Sequence, residues 1–396
     1  MKLLFSAINC TLDHSNGAAI SIRTLLRFLS RYGVECRSFS ASVFDRPAFG
    51  TAEETLLQAG ALPVQEPGYP QTLWLAEDEE VQHYVVQTKG ITQMALSRDE
   101  EQTLFNRVLN ALDQYQPDVL LIYGARPYER SLLKKAQERG IATVFNLVNP
   151  GYKSIEAFTH VDMIFTDSMA TAELYRERLG LNGRVIGKFI DPPVVPANSR
   201  PEYVTFINPL AEKGVTLFLR IAELAAQTLP EAKFLVVESR ARLEDAEARS
   251  GLPVSRLGNV RTIGLQRDMG PVFGATKVVL MPSVWHESAG RVVVEACAMG
   301  IPIVASRRGG IPEVAGDAAI LLDPPQPLID HHWLVPPLTE AIPWVEALRQ
   351  LLTEPEVYQT YHQAALEQWA RHDPALRLPG IIADLEALVA KKRAGA

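Results

Sequence analysis

Cysteine is scarce in this 396-residue chain, and the three residues present, Cys10, Cys36 and Cys297, are far apart. They form no CxxC, no zinc pattern and no paired framework, so a reducing cytoplasm is the expected compartment. No apolar run approaches the ~20 residues that a membrane span needs. Met1–Cys10 (MKLLFSAINC) is too short for the apolar core of a secretory leader and reads as a first buried strand. No Asp-x-Asp triplet occurs, no Gly-x-Gly dinucleotide fingerprint and no Walker loop. His286-Glu287 lacks the second histidine of a zinc site, so no metal ligands are assigned. Positive charge does not dominate either. The 39 Lys and Arg face 46 Asp and Glu, a formal net charge of −7, which argues against a nucleic-acid partner.

What is present fits a soluble globular protein, with 47% hydrophobic and 21% charged residues. The length exceeds one ordinary core and predicts two domains. Residues 191–201 mark the boundary: four prolines fall within 192–201, and such a segment sustains neither a helix nor a central strand. Residues 1–192 and 203–371 are the domains. Each alternates apolar strands with helical stretches, the pattern of an α/β fold with parallel sheets.

The most informative stretch is Met281–Met299, MPSVWHESAGRVVVEACAM. A short strand precedes it, a small-residue loop carries Ser288, Ala289 and Gly290, and a helix follows until Gly300 and Pro302 stop it. The loop delivers Ser288–Arg291 to a helix N-terminus, where free N–H groups and the dipole favour an anion such as a diphosphate. Glu287 and Glu295 stand ~12 Å apart at 1.5 Å per residue, a span that fits a sugar, a diphosphate and a ribose in line. Glu287 also reads as a surface acid near a helix start. Glu295 lies on a helix that is apolar on nearly every side, where an unpaired carboxylate is costly and needs a ribose diol or another partner.

At these residues the chain resembles the retaining glycosyltransferases of family 4, with their two-Rossmann-domain GT-B architecture. Glu287-Ser288-Ala289-Gly290-Arg291-Val292-Val293-Val294-Glu295-Ala296 matches the Glu-x7-Glu motif, and the match runs on through Ala298–Ser306 and Gly309-Gly310-Ile311-Pro312-Glu313-Val314. The resemblance implies two Rossmann-like domains facing a central cleft, with the final helices, about 372–396, packing back on the first. It also implies that the loop after Tyr203–Ile207 supplies an Arg and a Lys to the donor diphosphate. Lys213, before Gly214, matches the Lys, and Asn208 stands where the Arg usually is.

In the first domain, Lys2–Ile8, a loop and a helix from about Ala18 form a βαβ unit whose first turn faces a ligand in open α/β sheets. Gly17 matches the glycine that admits the donor phosphate or the acceptor in the family, though a lone glycine before a helix is also an ordinary turn. His14, in the same loop, is the histidine nearest the expected cleft. Many family members carry a histidine after the strand equivalent to Val119–Tyr123; this chain offers Arg126. Arg23, Arg27 and Arg31 form one helix stripe, either a solvated face or a weak peripheral contact with the inner membrane surface. Residues 45–80 read as an irregular excursion, with Glu77–Glu80 a solvated charge run.

Together these readings predict a metal-independent, retaining glycosyltransferase with no cofactor, using a nucleotide-sugar such as a UDP- or GDP-sugar as donor and an unidentified hydroxyl as acceptor. Glu287, Arg126 and His14 are the catalytic candidates. Gly17, Asn208, Lys213, Ser288, Ala289, Gly290, Arg291, Val292 and Glu295 are the donor-binding candidates. A nucleotide-sugar epimerase of the same architecture and a non-catalytic sugar-nucleotide binding protein are the alternatives.

Overall fold

The computed structural model describes residues 1–45, 51–66 and 68–395. The chain divides into two compact units: unit 1 takes Met1–Asp167, Ala172–Phe189 and Pro374–Ala396, and unit 2 takes Ser168–Thr171 and Ile190–Asp373.

Unit 1 opens with β1 (Lys2–Asn9), buried at every position after Lys2, as a continuous apolar strand in a doubly covered parallel sheet should be. In α1 (Gly17–Arg31), Asn16 is the cap: its side-chain oxygen accepts the amides of Ala18 and Ala19 at 2.8 and 3.1 Å. β2 (Glu35–Val43), α2 (Ala52–Gln58), β3 (Leu62–Val64), β4 (Leu73–Asp78) and β5 (Val81–Val86) follow. Next come α3 (Arg98–Tyr115), β6 (Val119–Ile122), α4 (Pro127–Gln137), β7 (Ala142–Asn146), β8 (Met163–Thr166), α5 (Met169–Leu179) and β9 (Gly183–Val185). Among the described residues the strand order is β3-β4-β5-β2-β1-β6-β7-β8-β9, parallel except where β4 pairs with β3 and β5. Alternate residues of β1 fill opposite cores: Leu4 and Ile8 pack with α3 and α4, while Leu3 and Phe5 pack with Ile22 and Leu26 of α1.

Two expectations change here. The 45–80 excursion is structured: Thr51 and Glu54 form a capping box on α2, and β3, β4 and β5 extend the sheet around buried Trp74. Its RPAFG stretch, 46–50, lies outside the described residues. The charge run is not simply solvated. Asp78 meets Arg27 at 3.2 Å and Arg23 at 3.9 Å, and Glu79 takes Arg31 in a two-pronged pair. The α1 arginines therefore serve the β4–β5 turn, because sheet register places that turn beside the helix.

Unit 2 contains β10 (Tyr203–Ile207), α6 (Val215–Thr228), β11 (Lys233–Val237), α7 (Leu243–Ser250), β12 (Val260–Ile263), α8 (Gly270–Ala275) and β13 (Thr276–Met281). It continues with α9 (Arg291–Ala298), β14 (Ile303–Ser306), α10 (Ile311–Ala315), β15 (Ala319–Leu322), α11 (Gln326–Asp330), α12 (Ile342–Thr353) and α13 (Pro355–Arg371). The described sheet is parallel, in the order β12-β11-β10-β13-β14-β15. The proline segment after Ile190 is laid along α8: a Cβ on Gly270 would meet the Val194 carbonyl oxygen at 2.0 Å, and one on Gly274 would meet the Ser199 hydroxyl at 2.2 Å. At Gly270 the contact is with main chain that cannot give way, so glycine is required there; at Gly274 it is with the Ser199 side chain. The chain ends in α14 (Leu378–Gly395), whose Leu378, Ile381, Leu385 and Val389 join the unit 1 cluster that holds Leu3 and Phe5. No described helix is long and apolar enough to cross a membrane.

Candidate active site

In an open parallel sheet, ligands bind outside the strand carboxyl ends where neighbouring strands send their connections in opposite directions. Each unit has one such point. In unit 2 it lies between β10 and β13, and in unit 1 between β1 and β6. The sequence-derived candidates lie at these points: Asn208, Lys213 and Ser288–Glu295 follow β10 and β13, His14 and Gly17 follow β1, and Arg126 follows β6.

The unit 2 site is built by loops locked to one another. β10 is followed by Asn208, which holds a left-handed backbone (φ 62°), its side-chain oxygen accepting the Arg240 amide at 3.2 Å. Asparagine tolerates that conformation better than most residues. A short turn, Ala211–Lys213, then closes on Gly214 at φ 78°. A Cβ on Gly214 would stand 1.9 Å from the Pro282 carbonyl oxygen, so only glycine fits. The amides of Val284 and Trp285 both donate to the Glu212 carbonyl at 3.1 Å. The loops after β10 and β13 are thus one body.

That body presents Lys213 to Glu287. The Lys213 ammonium donates to Glu287 Oε1 at 2.5 Å, and the Ser283 hydroxyl reaches the same oxygen at 2.5 Å. Glu287 is 7% exposed, so it is not a free surface acid; the pairing is what makes its burial tolerable. The loop after β14 braces it from behind: the Gly310 amide donates to the Glu287 carbonyl at 2.8 Å, and Gly309 (φ 54°) lies against the same carbonyl. Gly290 caps α9 at φ 73°, Ala289 is buried, and Val292 is half-buried. The Ser288 hydroxyl and one Arg291 nitrogen are buried without a hydrogen-bond partner in the structure.

Glu295 is also 7% exposed. Its partner comes from the chain itself, one helical turn back: Arg291 Nε donates to Glu295 Oε1 at 2.8 Å. Burial still raises the carboxyl's pKa, with the Arg291 charge and hydrogen bond opposing.

In unit 1 the candidates do other things. Gly17 opens α1 in full exposure, and a Cβ there would meet nothing within 4 Å, so packing inside the chain does not demand glycine. His14 is half-buried beside Asp13, whose carboxylate knots the loop by accepting the Ser15 amide and hydroxyl at 2.8 and 2.7 Å and the Asp45 amide at 2.8 Å. Arg126 precedes α4, and one of its guanidinium nitrogens is buried without a partner. Glu129 lies under the same loop: it accepts the Arg126 amide at 3.0 Å, and burial pushes its carboxyl up to about 7 despite the Arg126 charge.

Sequence reasoning does not single out Ser283, Glu129 or Arg308. Ser283 and Arg308 flank motif residues, after Pro282 and before Gly309-Gly310, and that adjacency is the signal a sequence offers for them. Glu129 has a weaker one, as the residue three after a helix-start position. Among the described residues no group of three or more His, Cys, Asp or Glu could hold a metal ion.

Residues 201–354 match the family model described as Glycosyl transferases group 1. The sulfoquinovosyl transferase SQD2 of Arabidopsis thaliana is 28% identical over 184 residues, covering 45% of this chain and 32% of that protein. The D-inositol 3-phosphate glycosyltransferase of Corynebacterium diphtheriae is 37% identical over 101 residues, 25% of this chain and 20% of the relative. The chain therefore spans a third or less of these relatives' length. Solved structures match end to end: sucrose-phosphate synthase from Thermosynechococcus elongatus at TM-score 0.66 and 16% identity, over 98% of this chain and 99% of that one. Anabaena Alr3699/HepE in complex with UDP-glucose matches at TM-score 0.64 and 16% identity, over 100% of both. Identities this low establish shared architecture alone. The fold is GT-B, and its second unit carries the match to Glycosyl transferases group 1.

Proposed function

We propose that the chain is a retaining glycosyltransferase of the family 4 type, moving a sugar from a nucleotide-sugar donor to a hydroxyl acceptor without a metal. The observation that carries this reading is the Lys213–Glu287–Ser283 knot at the unit 2 switch point, with Glu295 one short helix away. The partial match to named glycosyltransferases, and a similar fold that holds UDP-glucose, support it.

The chemistry needs negative charge stabilised on the departing diphosphate and positive charge stabilised on the sugar. Lys213 has three N–H donors, of which Glu287 takes one, leaving others for phosphoryl oxygens. The amides of Ser288–Arg291 at the start of α9 add partial positive charge where the diphosphate lies. Glu287 accepts from sugar hydroxyls and, as a carboxylate, favours oxocarbenium-like charge. Glu295 accepts from the ribose diol. Asn208 contributes a neutral polar side chain where the resemblance implies a cation. In unit 1, Gly17 admits phosphate or acceptor, and His14 and Arg126 contact the transferred sugar or the attacking hydroxyl. No second carboxylate is assigned as nucleophile for a double displacement, and the resemblance to family 4 implies departure and attack on the same sugar face.

The test is a thermal-shift panel of UDP, GDP, ADP and dTDP in the presence of EDTA, on wild type and Glu295→Gln. One nucleotide should stabilise the wild type and the variant less. No shift with any of the four would sink the donor site. NMR of the anomeric centre then decides stereochemistry, and an inverted product refutes retention. A new sugar formed from donor alone, without acceptor, would favour epimerisation instead.

A further inference from the structure

Arg308 differs from the other cations at the unit 2 site. Lys213 is answered by Glu287 and Arg291 by Glu295, so these four groups sum to no net charge. Arg308 is half-buried, and its guanidinium makes no hydrogen bond or ion pair with any described residue; its Nε is buried with no partner. Burial alone holds it below the ordinary arginine range. The adjacent Arg307 is exposed and faces Asp323 at 3.5 Å, so the doubled arginine is not a simple surface pair.

A partly desolvated cation without a counter-charge is unfavourable unless an anion meets it. Its position is fixed. Gly309, the next residue, is pressed on the Glu287 main chain, where a Cβ would come within 2.1 Å of the Glu287 carbonyl oxygen, and Gly310 is hydrogen-bonded to that oxygen. The Arg308 main chain is therefore held beside that of Glu287, whose carboxylate is assigned to the sugar. Asn208, in its left-handed backbone, is a poor place for a long side chain that needs φ below zero.

We propose that Arg308 binds an anionic oxygen group of the donor, supplying the positive charge that Asn208 does not. This rests on the donor-site reading. The anion is either the diphosphate or an acidic substituent on the transferred sugar, and guanidinium recognises both through the same paired N–H donors.

The experiment compares wild type, Arg308→Gln, Arg308→Lys and Lys213→Ala by calorimetric titration. The probes are UDP, GDP, ADP and dTDP, the parent nucleosides, and the glucose and uronic acid conjugates of whichever diphosphate binds. If the diphosphate is the anion, Arg308→Gln weakens it by roughly 10- to 100-fold and leaves the nucleoside unchanged, with partial recovery in Arg308→Lys. If the sugar acid is the anion, the free diphosphate is unaffected, and the preference of the uronic acid conjugate over the glucose conjugate collapses. A merely structural arginine moves neither ratio. Should both ratios stay put in Arg308→Gln while Lys213→Ala weakens the diphosphate, Arg308 is overturned and the donor site stands. Failure of all four diphosphates to bind wild type defeats the donor reading and the inference with it.

Discussion

The two switch points use charge in opposite ways. In unit 2, the cations and carboxylates that follow β10 and β13 pair with each other, Lys213 with Glu287 across two loops and Arg291 with Glu295 within α9, and backbone glycines lock the two loops together. In unit 1, the acids bind main-chain amides instead of cations: Asp13 knots the turn after β1 and ties it to Asp45 after β2, and Glu129 braces the turn after β6. One arrangement fixes a set of paired charges, as the proposed diphosphate site requires. The other fixes loop shape. The family match follows the same division, covering 201–354 and nothing of unit 1.

The harshest way to break this comparison is to unlock the unit 2 loops. Gly214→Ala places a methyl group 1.9 Å from the Pro282 carbonyl oxygen in a left-handed backbone. Strain and overpacking together should cost about 3–5 kcal/mol in urea unfolding. The control is Gly17→Ala, which has open space and no positive φ, and should leave stability within about 1 kcal/mol. Equal losses in both would refute the idea that only one switch point is locked.

Next in size is Lys213→Ala. Removing a charge that meets a developing anion in a preorganised site costs about 10²–10³ in kcat. The variant also leaves Glu287 buried with only Ser283, so some stability goes too. Lys213→Arg should recover stability before it recovers turnover. Turnover within threefold of wild type in Lys213→Ala would place the charge elsewhere.

What the sequence reveals follows this split. Strand-helix alternation and the Met281–Pro302 pattern are local signals, and the elements and the unit 2 loop order can be read from them. Glu295 is legible as a buried acid that needs a partner; Arg291 as that partner is harder to see, although it stands four residues away on the same helix. The β3–β4–β5 extension is hidden because its strands are short, acid-rich and interrupted by proline and glycine, and the order comes from pairing with β2. Arg23, Arg27 and Arg31 are visible as a stripe; that Asp78 and Glu79 face them depends on register between elements more than forty residues apart.

A smaller effect tests whether unit 1's acid is structural. Glu129 titrates near 7 in the folded protein, against 4.5 for an ordinary glutamate. The folded state therefore holds the proton more tightly than the unfolded chain. Its contribution is fully present below pH 4.5 and is lost as pH rises from 4.5 through about 7. A shift of that size corresponds to about 3 kcal/mol at most. Glu129→Gln keeps an oxygen for the Arg126 amide and has no proton to lose. Relative to wild type it should gain stability between pH 5 and pH 8, measured by urea unfolding at each pH. A difference between the two proteins that does not vary with pH would mean the carboxyl is already ionised in the fold.

The smallest effect belongs to Arg31, and it separates two kinds of ion pair within the same molecule. Arg31 holds Glu79 with two prongs, yet both side chains are more than a third exposed. Solvent screens such a pair, so Arg31→Ala should cost no more than about 1 kcal/mol, and less at high salt. The cation–π contact of Arg31 with Phe28, 4.6 Å from the ring centre, adds only a fraction of that at an exposed site. Glu287 is nearly enclosed, so losing its lysine leaves a buried charge, and Lys213→Ala should exceed Arg31→Ala in lost stability at every ionic strength. Paired unfolding curves at low and high salt decide this. If the two losses converge in high salt, the Lys213–Glu287 pair is as well solvated as the surface pair, and the idea of a charge set held apart from water at the unit 2 switch point falls.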